Sequence, residues 1–168
     1  KKINVEDLPK ADGRLELYEL AHEELTSAGY RHIGMDHFAL PGDDLSVAQE
    51  EGRLGRNFMG YTPRKDLQII GIGVSSIGNV GLGYFQNEKK LSLYFESLDR
   101  GQLPIERGYL CSGDDIARRH VIHEILCNLR VRFEDFTSRF GSLFSEYFAR
   151  EMEDLKDLER DGLIELDA

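Results

Sequence analysis

Apolar residues at Leu17, Leu20, Ala21, Leu25 and Ala28 recur at helical spacing from Leu15 onward, and Gly29 follows where a left-handed helix end is wanted. The pattern predicts an amphipathic helix over residues 13–28. Residues 30–38 change to rough alternation of β-friendly and polar positions, closed by Leu40-Pro41-Gly42, and read as a strand. Asp43 or Asp44 then caps a short helix over residues 45–51. Helix, glycine and strand in that order make the return half of a βα repeat, so an α/β barrel or a layered sheet is the expected context.

Residues 56–62 have no clear period and predict a loop or a short irregular strand. Residues 66–84 begin as an apolar strand and dissolve into glycines at 71, 73, 78, 81 and 83. Past Gln86 the character becomes helical. Leu91, Tyr94, Phe95 and Leu98 share one side of a helix over 88–98, which ends at Arg100-Gly101-Gln102-Leu103-Pro104. A short strand is expected at 105–110. Ser112 and Asp114 offer caps for a helix over 115–129, whose stripe of Ala117, Val121, Ile125 and Leu129 is reinforced by Ile122 and Leu126. A second helical run carries Phe136, Phe140, Phe144, Tyr147 and Phe148, and a third Met152, Leu155 and Leu158. Asp161-Gly162 then turns the chain into a strand at 163–166, which is how a winged-helix-like module ends. Ile122, Ile125, Leu126, Phe140 and Phe144 are the expected core of this half.

The 168 residues are 40% hydrophobic and 31% charged, enough for one good core or two small ones. Twenty-one Lys and Arg against thirty-one Asp and Glu leave a net charge of −10, a field that repels nucleic acid and anionic membrane. Arg118, Arg119, Arg130 and Arg132 are the only opening for a basic patch in the helical half. No apolar run approaches the roughly 20 residues of a membrane-spanning helix. Residues 1–10 are polar and predict no signal peptide. Cys111 and Cys127 are too few and too far apart for a disulfide framework, which points to a reducing cytoplasm.

Several side chains invite a chemical reading. Asp36 and His37 are carboxylate and imidazole neighbours at a predicted strand end. Alternation sends their side chains to opposite faces, so the inward one is a ligand residue or the two hold the following turn by hydrogen bonds. Arg56 is the residue type that grips a carboxylate bidentately. Gly71-Ile72-Gly73-Val74-Ser75-Ser76 lacks the third glycine of a dinucleotide fingerprint, and no phosphate loop is present; its glycines instead let backbone approach a ligand or a neighbouring strand. His120, His123 and Cys127 share helical spacings suited to zinc, yet no fourth ligand is evident, and surface histidines around a buried thiol are the favoured reading.

Tyr30-Arg31-His32-Ile33-Gly34-Met35-Asp36-His37-Phe38-Ala39, followed by Arg56-Asn57-Phe58-Met59-Gly60-Tyr61-Thr62, closely resembles the oxygen-independent coproporphyrinogen III oxidases, radical S-adenosylmethionine enzymes of haem biosynthesis. The resemblance continues through Gly71-Ile72-Gly73-Val74-Ser75-Ser76-Ile77 and, more weakly, through Asp114-Asp115-Ile116-Ala117-Arg118-Arg119 and Asp161-Gly162-Leu163. It covers nearly the whole chain but only the later part of such an enzyme. It implies an α/β and α architecture: over 1–87 the closing strands and helices of a partial TIM-like barrel, and over 88–168 a mainly helical, winged-helix-like domain that stops before its wing is complete.

The same resemblance implies oxidative decarboxylation of two propionates of coproporphyrinogen III to the vinyls of protoporphyrinogen IX. In that reaction S-adenosylmethionine on a 4Fe–4S cluster is cleaved reductively, and the 5′-deoxyadenosyl radical takes a hydrogen from the propionate β-carbon. Loss of carbon dioxide and an electron completes each vinyl. The cluster's three cysteines, spaced C-x-x-x-C-x-x-C, are absent here, so the isolated chain is expected to be inactive and to hold neither cofactor alone. Its implied partners are coproporphyrinogen III, an N-terminal barrel portion and an electron donor, with no membrane or nucleic acid. Ile77, Met59 and Gly73 are the implied cofactor-side positions, with Met59 standing where the family often has Gln. Arg56, Asp36 and His37 are the implied substrate-side positions. Two alternatives remain: a related haem-chaperone-type protein, against which the Met35-Asp36-His37-Phe38-Ala39 segment speaks, and a non-catalytic winged-helix interaction module.

Overall fold

The computed structural model describes residues 3–65 and 67–166. Helix α1 spans Ala11–Ser27, where the apolar spacing predicts it, and the chain leaves it through Gly29 at φ 87°. None of its residues is buried, and Leu15, Leu17 and Leu20 are each more than half exposed. Its contacts with the rest are local: Tyr18 Oη donates to the Met35 carbonyl at 3.0 Å, and His22 packs edge-on against His32 and Phe38.

Residues 30–38 are not one strand. β1 (Arg31–Gly34) and β2 (His37–Ala39) form an antiparallel hairpin, with Met35 and Asp36 at its turn. Met35 takes φ 51°, the left-handed geometry that a tight hairpin turn needs, without the Gly or Asn that would have signalled it in the sequence. Helix α2 (Asp44–Glu50) follows, and Asp43 is its cap, accepting from the Leu45 N–H at 2.8 Å. Ile33, Ala39, Ala48 and Leu54 from this region close over Cys127 as the first core.

The 56–62 segment is a second hairpin, β3 (Gly55–Asn57) with β4 (Gly60–Thr62), and Phe58 and Met59 form its tip. Gly55 is required by close approach. A Cβ there would lie 2.7 Å from the Arg64 carbonyl, so the missing side chain lets residues 64–65 fold back over the hairpin. The apolar strand expected from residue 66 is reduced to a single bridge, Ile69 to Asn79; Asp66 itself lies outside the described residues. The real strands come later, in an antiparallel sheet of order β5-β6-β7: β5 (Ile77–Val80), β6 (Gly83–Asn87) and β7 (Ile105–Leu110). Helix α3 (Leu91–Asp99) fills the connection between β6 and β7.

Helix α4 (Gly113–Asn128) begins on a capping box in which Ser112 and Asp115 satisfy one another's backbone N–H groups. The phenylalanine run is broken by Gly141 at φ 73° into α5 (Phe133–Phe140) and α6 (Phe144–Tyr147), and α7 (Ala149–Arg160) follows directly. Phe136, Phe144 and Phe148 bury against Ala117 as the second core. Residues 163–166 are not a strand. The sheets are open and the last part of the chain is helical, as the predicted partial barrel followed by a helical region requires.

Two expected core residues are corrected. Ile122 is 56% exposed and Ile125 49%. Helix α4 gives Ala117 to the second core and Cys127 to the first. Ten residues at 100° each place those two about 80° apart around the axis, so α4 is wedged between cores rather than laid on one. Ile122 and Ile125 fall outside that sector.

Candidate functional site

A cavity of about 1020 Å³ opens between the β3–β4 hairpin, the β5–β7 sheet and α4. The hairpin and the segment after it contribute Arg56, Phe58, Arg64 and Lys65; the sheet contributes Asn79, Tyr84 and Tyr109. Helix α4 turns Ile116, Arg119, His120, Ile122, His123 and Leu126 toward it, and α5 adds Arg139. Ile116, Arg119, His120 and His123 recur at i, i+3, i+4 and i+7 and so share one face of α4, next to Cys127.

Of the substrate-side residues read from the sequence, Arg56 lines this cavity, its guanidinium 5.6 Å from the centre of the Tyr61 ring. Asp36 and His37 do not line it, but they connect to it. The His37 ring meets the Tyr61 ring edge-on at 5.0 Å, and Tyr61 Oη donates to the Leu126 carbonyl at 2.9 Å. The expectation that Asp36 and His37 diverge is overturned, because Asp36 sits in the hairpin turn rather than in a strand. Its carboxylate lies 2.9 Å from His37 Nδ1, close enough for an ion pair although the approach is not aligned for a hydrogen bond. Burial raises the Tyr61 phenol above its ordinary value, helped by Cys127 and opposed by the Arg56 charge.

The cofactor-side residues fall elsewhere. Met59 is 88% exposed at the hairpin tip, its N–H bonded to Asn57 Oδ1 at 2.8 Å. Gly73 takes φ 99° in a loop pinned from below by buried Asn87, whose Nδ2 donates to the Gly71 and Gly73 carbonyls at 3.1 and 3.0 Å. Ser76 Oγ donates to the Gly73 carbonyl at 2.5 Å, and the Gly73 N–H reaches Tyr94 Oη at 3.1 Å. Ile77 stands partly exposed on the edge strand β5, on the same face as Asn79, which does line the cavity. An exposed apolar side chain beside a fixed, glycine-rich backbone fits one wall of a site for S-adenosylmethionine.

The thiols do not fit a 4Fe–4S cluster. Cys127 is fully buried in the first core, and burial foremost pushes its thiol up to about 11. Cys111 is buried at the end of β7. Cys127 Sγ lies 3.6 Å from His123 Nε2, while His120 packs on the Phe140 ring. Among the described residues no group of three His, Cys, Asp or Glu side chains is arranged to hold a metal ion. Nor does any described helix have the length and apolar character to cross a membrane.

Arg118 is occupied by Asp114 at 2.9 Å and Glu151 at 2.7 Å, so it does not join a basic face for nucleic acid. Its neighbour Arg119 lines the cavity instead, donating to Tyr84 Oη at 3.2 Å, a bond that raises the guanidinium's basicity further. Arg119, Arg139, Arg64 and Lys65 are the cavity cations that sequence reading did not assign. Of these only Arg119 lies on α4, where helical spacing carried a signal.

This sequence and fold have close counterparts among known proteins. Residues 111–168 match the family described as HemN C-terminal domain. The chain is 48% identical over 168 residues to the oxygen-independent coproporphyrinogen III oxidase of Pseudomonas aeruginosa, and 40% identical over 167 residues to that of Escherichia coli, spanning 36% of each. It superposes with a TM-score of 0.92 and 41% identity on the structure described as "Coproporphyrinogen III oxidase (HemN) from Escherichia coli is a Radical SAM enzyme", covering 98% of this chain and 38% of that one. The chain is therefore similar to one part of known radical S-adenosylmethionine enzymes, and it carries no C-x-x-x-C-x-x-C cysteine motif. Within them it is homologous to the oxygen-independent coproporphyrinogen III oxidases, of whose length it spans about a third.

Proposed function

We propose that this chain is the substrate-facing later part of an anaerobic coproporphyrinogen III oxidase, acting in the cytoplasm together with a cluster-bearing barrel portion and an electron donor. The observation that carries the reading is Arg56, which stands in the Arg56-Asn57-Phe58-Met59-Gly60-Tyr61-Thr62 motif and lines the cavity. A bound S-adenosylmethionine supplies the radical that begins the oxidation of each propionate to a vinyl. Ile77 and the Gly73 backbone would hold it on one side, and Met59 would contribute from the hairpin tip. Arg56 holds a propionate bidentately. Asp36 and His37 act from behind, through Tyr61, to hold Arg56 over the cavity. Residues 1–87 belong to the barrel and 88–168 to its helical cover, which keeps water from the reacting groups.

The test is a chimera in which this chain replaces the corresponding part of the Pseudomonas aeruginosa oxidase. Coproporphyrinogen III is supplied anaerobically and the product is read by chromatography after oxidation to the porphyrin. The expected result is protoporphyrin. A chimera that carries its cluster and cleaves S-adenosylmethionine yet leaves coproporphyrinogen untouched would overturn the proposal.

A further inference from the structure

The cavity's charge is the reverse of the chain's. Acidic residues outnumber basic ones by 31 to 21 overall, yet Arg56, Arg64, Lys65, Arg119 and Arg139 all line the cavity and Glu124 is its sole carboxylate among the described residues. Glu124 is already engaged, accepting from Asn128 Nδ2 at 2.6 Å. Elsewhere the chain neutralises its arginines with acids: Arg31 with Glu50, Arg53 with Glu51, and Arg100 with Glu96. Among the described residues none of the five cavity cations has such a partner.

Three of them lie against aromatic rings instead. Arg56 lies against Tyr61, Arg119 over Tyr84 at 5.9 Å from the ring centre, and Arg139 over Phe140 at 5.8 Å. An aromatic face orients a guanidinium while leaving its charge and its N–H fork free for an anion. The uncompensated field is felt locally, since burial and then the Arg139 charge hold the His120 imidazole below its ordinary value.

Between the cations the walls are apolar. Phe58 meets the Tyr84 ring edge-on at 5.6 Å, and Ile122 and Leu126 face the same space. Helix α4 leaves Ile122 more than half exposed here rather than in a core. A free inorganic anion has no use for these surfaces. At about 1020 Å³ the cavity reaches the upper end of the range for small-molecule sites, so it suits a large ligand with an apolar body and several anionic arms.

We propose that Arg119 and Arg139 of the helical region are further substrate-recognition residues, gripping carboxylates of the macrocycle in this cavity in addition to Arg56. The inference rests on the functional reading above and extends it. It assigns substrate recognition to α4 and α5, beyond the strands that carry Arg56.

The experiment titrates the 168-residue chain with coproporphyrin III, the stable oxidised macrocycle with four propionates, and follows porphyrin fluorescence. Saturable binding is expected. The uncharged coproporphyrin tetramethyl ester should bind at least about tenfold more weakly, as should coproporphyrin to the Arg119→Gln/Arg139→Gln double variant, since one lost charge-assisted contact is worth about that factor. Arg118→Gln, a neighbour on the same helix already tied to Asp114 and Glu151, should bind as wild type. Melting curves of all variants separate lost contacts from lost fold, and Arg119→Lys, which keeps the charge, should recover part of the affinity.

Equal binding of acid and ester, or wild-type affinity in a folded double variant, would overturn the inference. So would inorganic triphosphate displacing coproporphyrin at equal concentration, because the cavity would then be reading charge alone. No binding by the chain while the chimera makes protoporphyrin would overturn the cavity assignment and leave the functional reading standing; tight, carboxylate-dependent binding with an inactive chimera would do the opposite.

Discussion

The Tyr61 hydroxyl donates to the Leu126 carbonyl at 2.9 Å, tying the β3–β4 hairpin to the last turn of α4. Leu126 is two residues before the C-terminal end of that helix, where carbonyls have no partner within the helix itself. Gln49 of α2 does the same for the next carbonyl, reaching Cys127 O at 3.3 Å while also donating to Ile33 O at 2.7 Å. Two side chains from the strand-rich part therefore finish a helix of the helical part.

Tyr61→Phe keeps the ring and removes the donor. With the Leu126 carbonyl left unsatisfied in a part-buried place, the loss should be about 1–3 kcal/mol in urea denaturation. A variant as stable as the wild type would mean that water replaces the hydroxyl without cost.

Phe144 stacks on Phe133 at 4.2 Å and packs against Phe136 and Phe148 at the centre of the second core. Phe144→Ala should destabilise by about 3–5 kcal/mol. Ile122→Ala, at a residue the helical stripe also marks as core, should cost under about 1 kcal/mol, because more than half of that side chain is already in solvent. Equal losses at the two positions would contradict the division of α4 between two cores.

Asp115 accepts from the Ser112 hydroxyl at 2.7 Å, from Tyr109 Oη at 2.7 Å and from the Ser112 N–H at 2.8 Å. The Ser112 hydroxyl first, then Tyr109, hold its carboxyl below the usual carboxylate range. A carboxyl whose folded value is depressed stabilises the fold above its unfolded value and loses that contribution as pH falls through the folded one. The difference in melting temperature between wild type and Asp115→Asn should therefore be constant near neutrality and shrink only as pH drops below the usual carboxylate range. A difference that stays constant down to pH 2 would show that charge at Asp115 plays no part.

In the chimera, Ile77→Asp sets a charge on an apolar contact, and a bulky residue at Gly73 must adopt a left-handed φ beside the cofactor-side loop. Both should depress decarboxylation with cluster content unchanged, since the cluster's cysteines lie in the other portion. Wild-type rates in both would reduce Ile77 to a packing residue.

The sequence by itself determined the elements whose cause is local. The helix read over 13–28 and found at Ala11–Ser27, the cap read as Asp43 or Asp44 and found at Asp43, the strand at 105–110 and the cap at Ser112 each depend on residues within a few positions. It also carried Arg56, because the motif around that residue is contiguous. What tertiary structure decided was everything that requires two distant segments to meet. Met35 turns a hairpin without a turn residue, which removes the alternation argument and brings Asp36 beside His37. The α4 stripe could not reveal that Ala117 and Cys127 serve different cores, because the period of a helix locates a face but not its partner. Arg119 and Arg139 lie 20 positions apart on different helices, and their relation to Arg56 exists only once α4 is wedged between the cores with its remaining side toward the hairpin and the sheet.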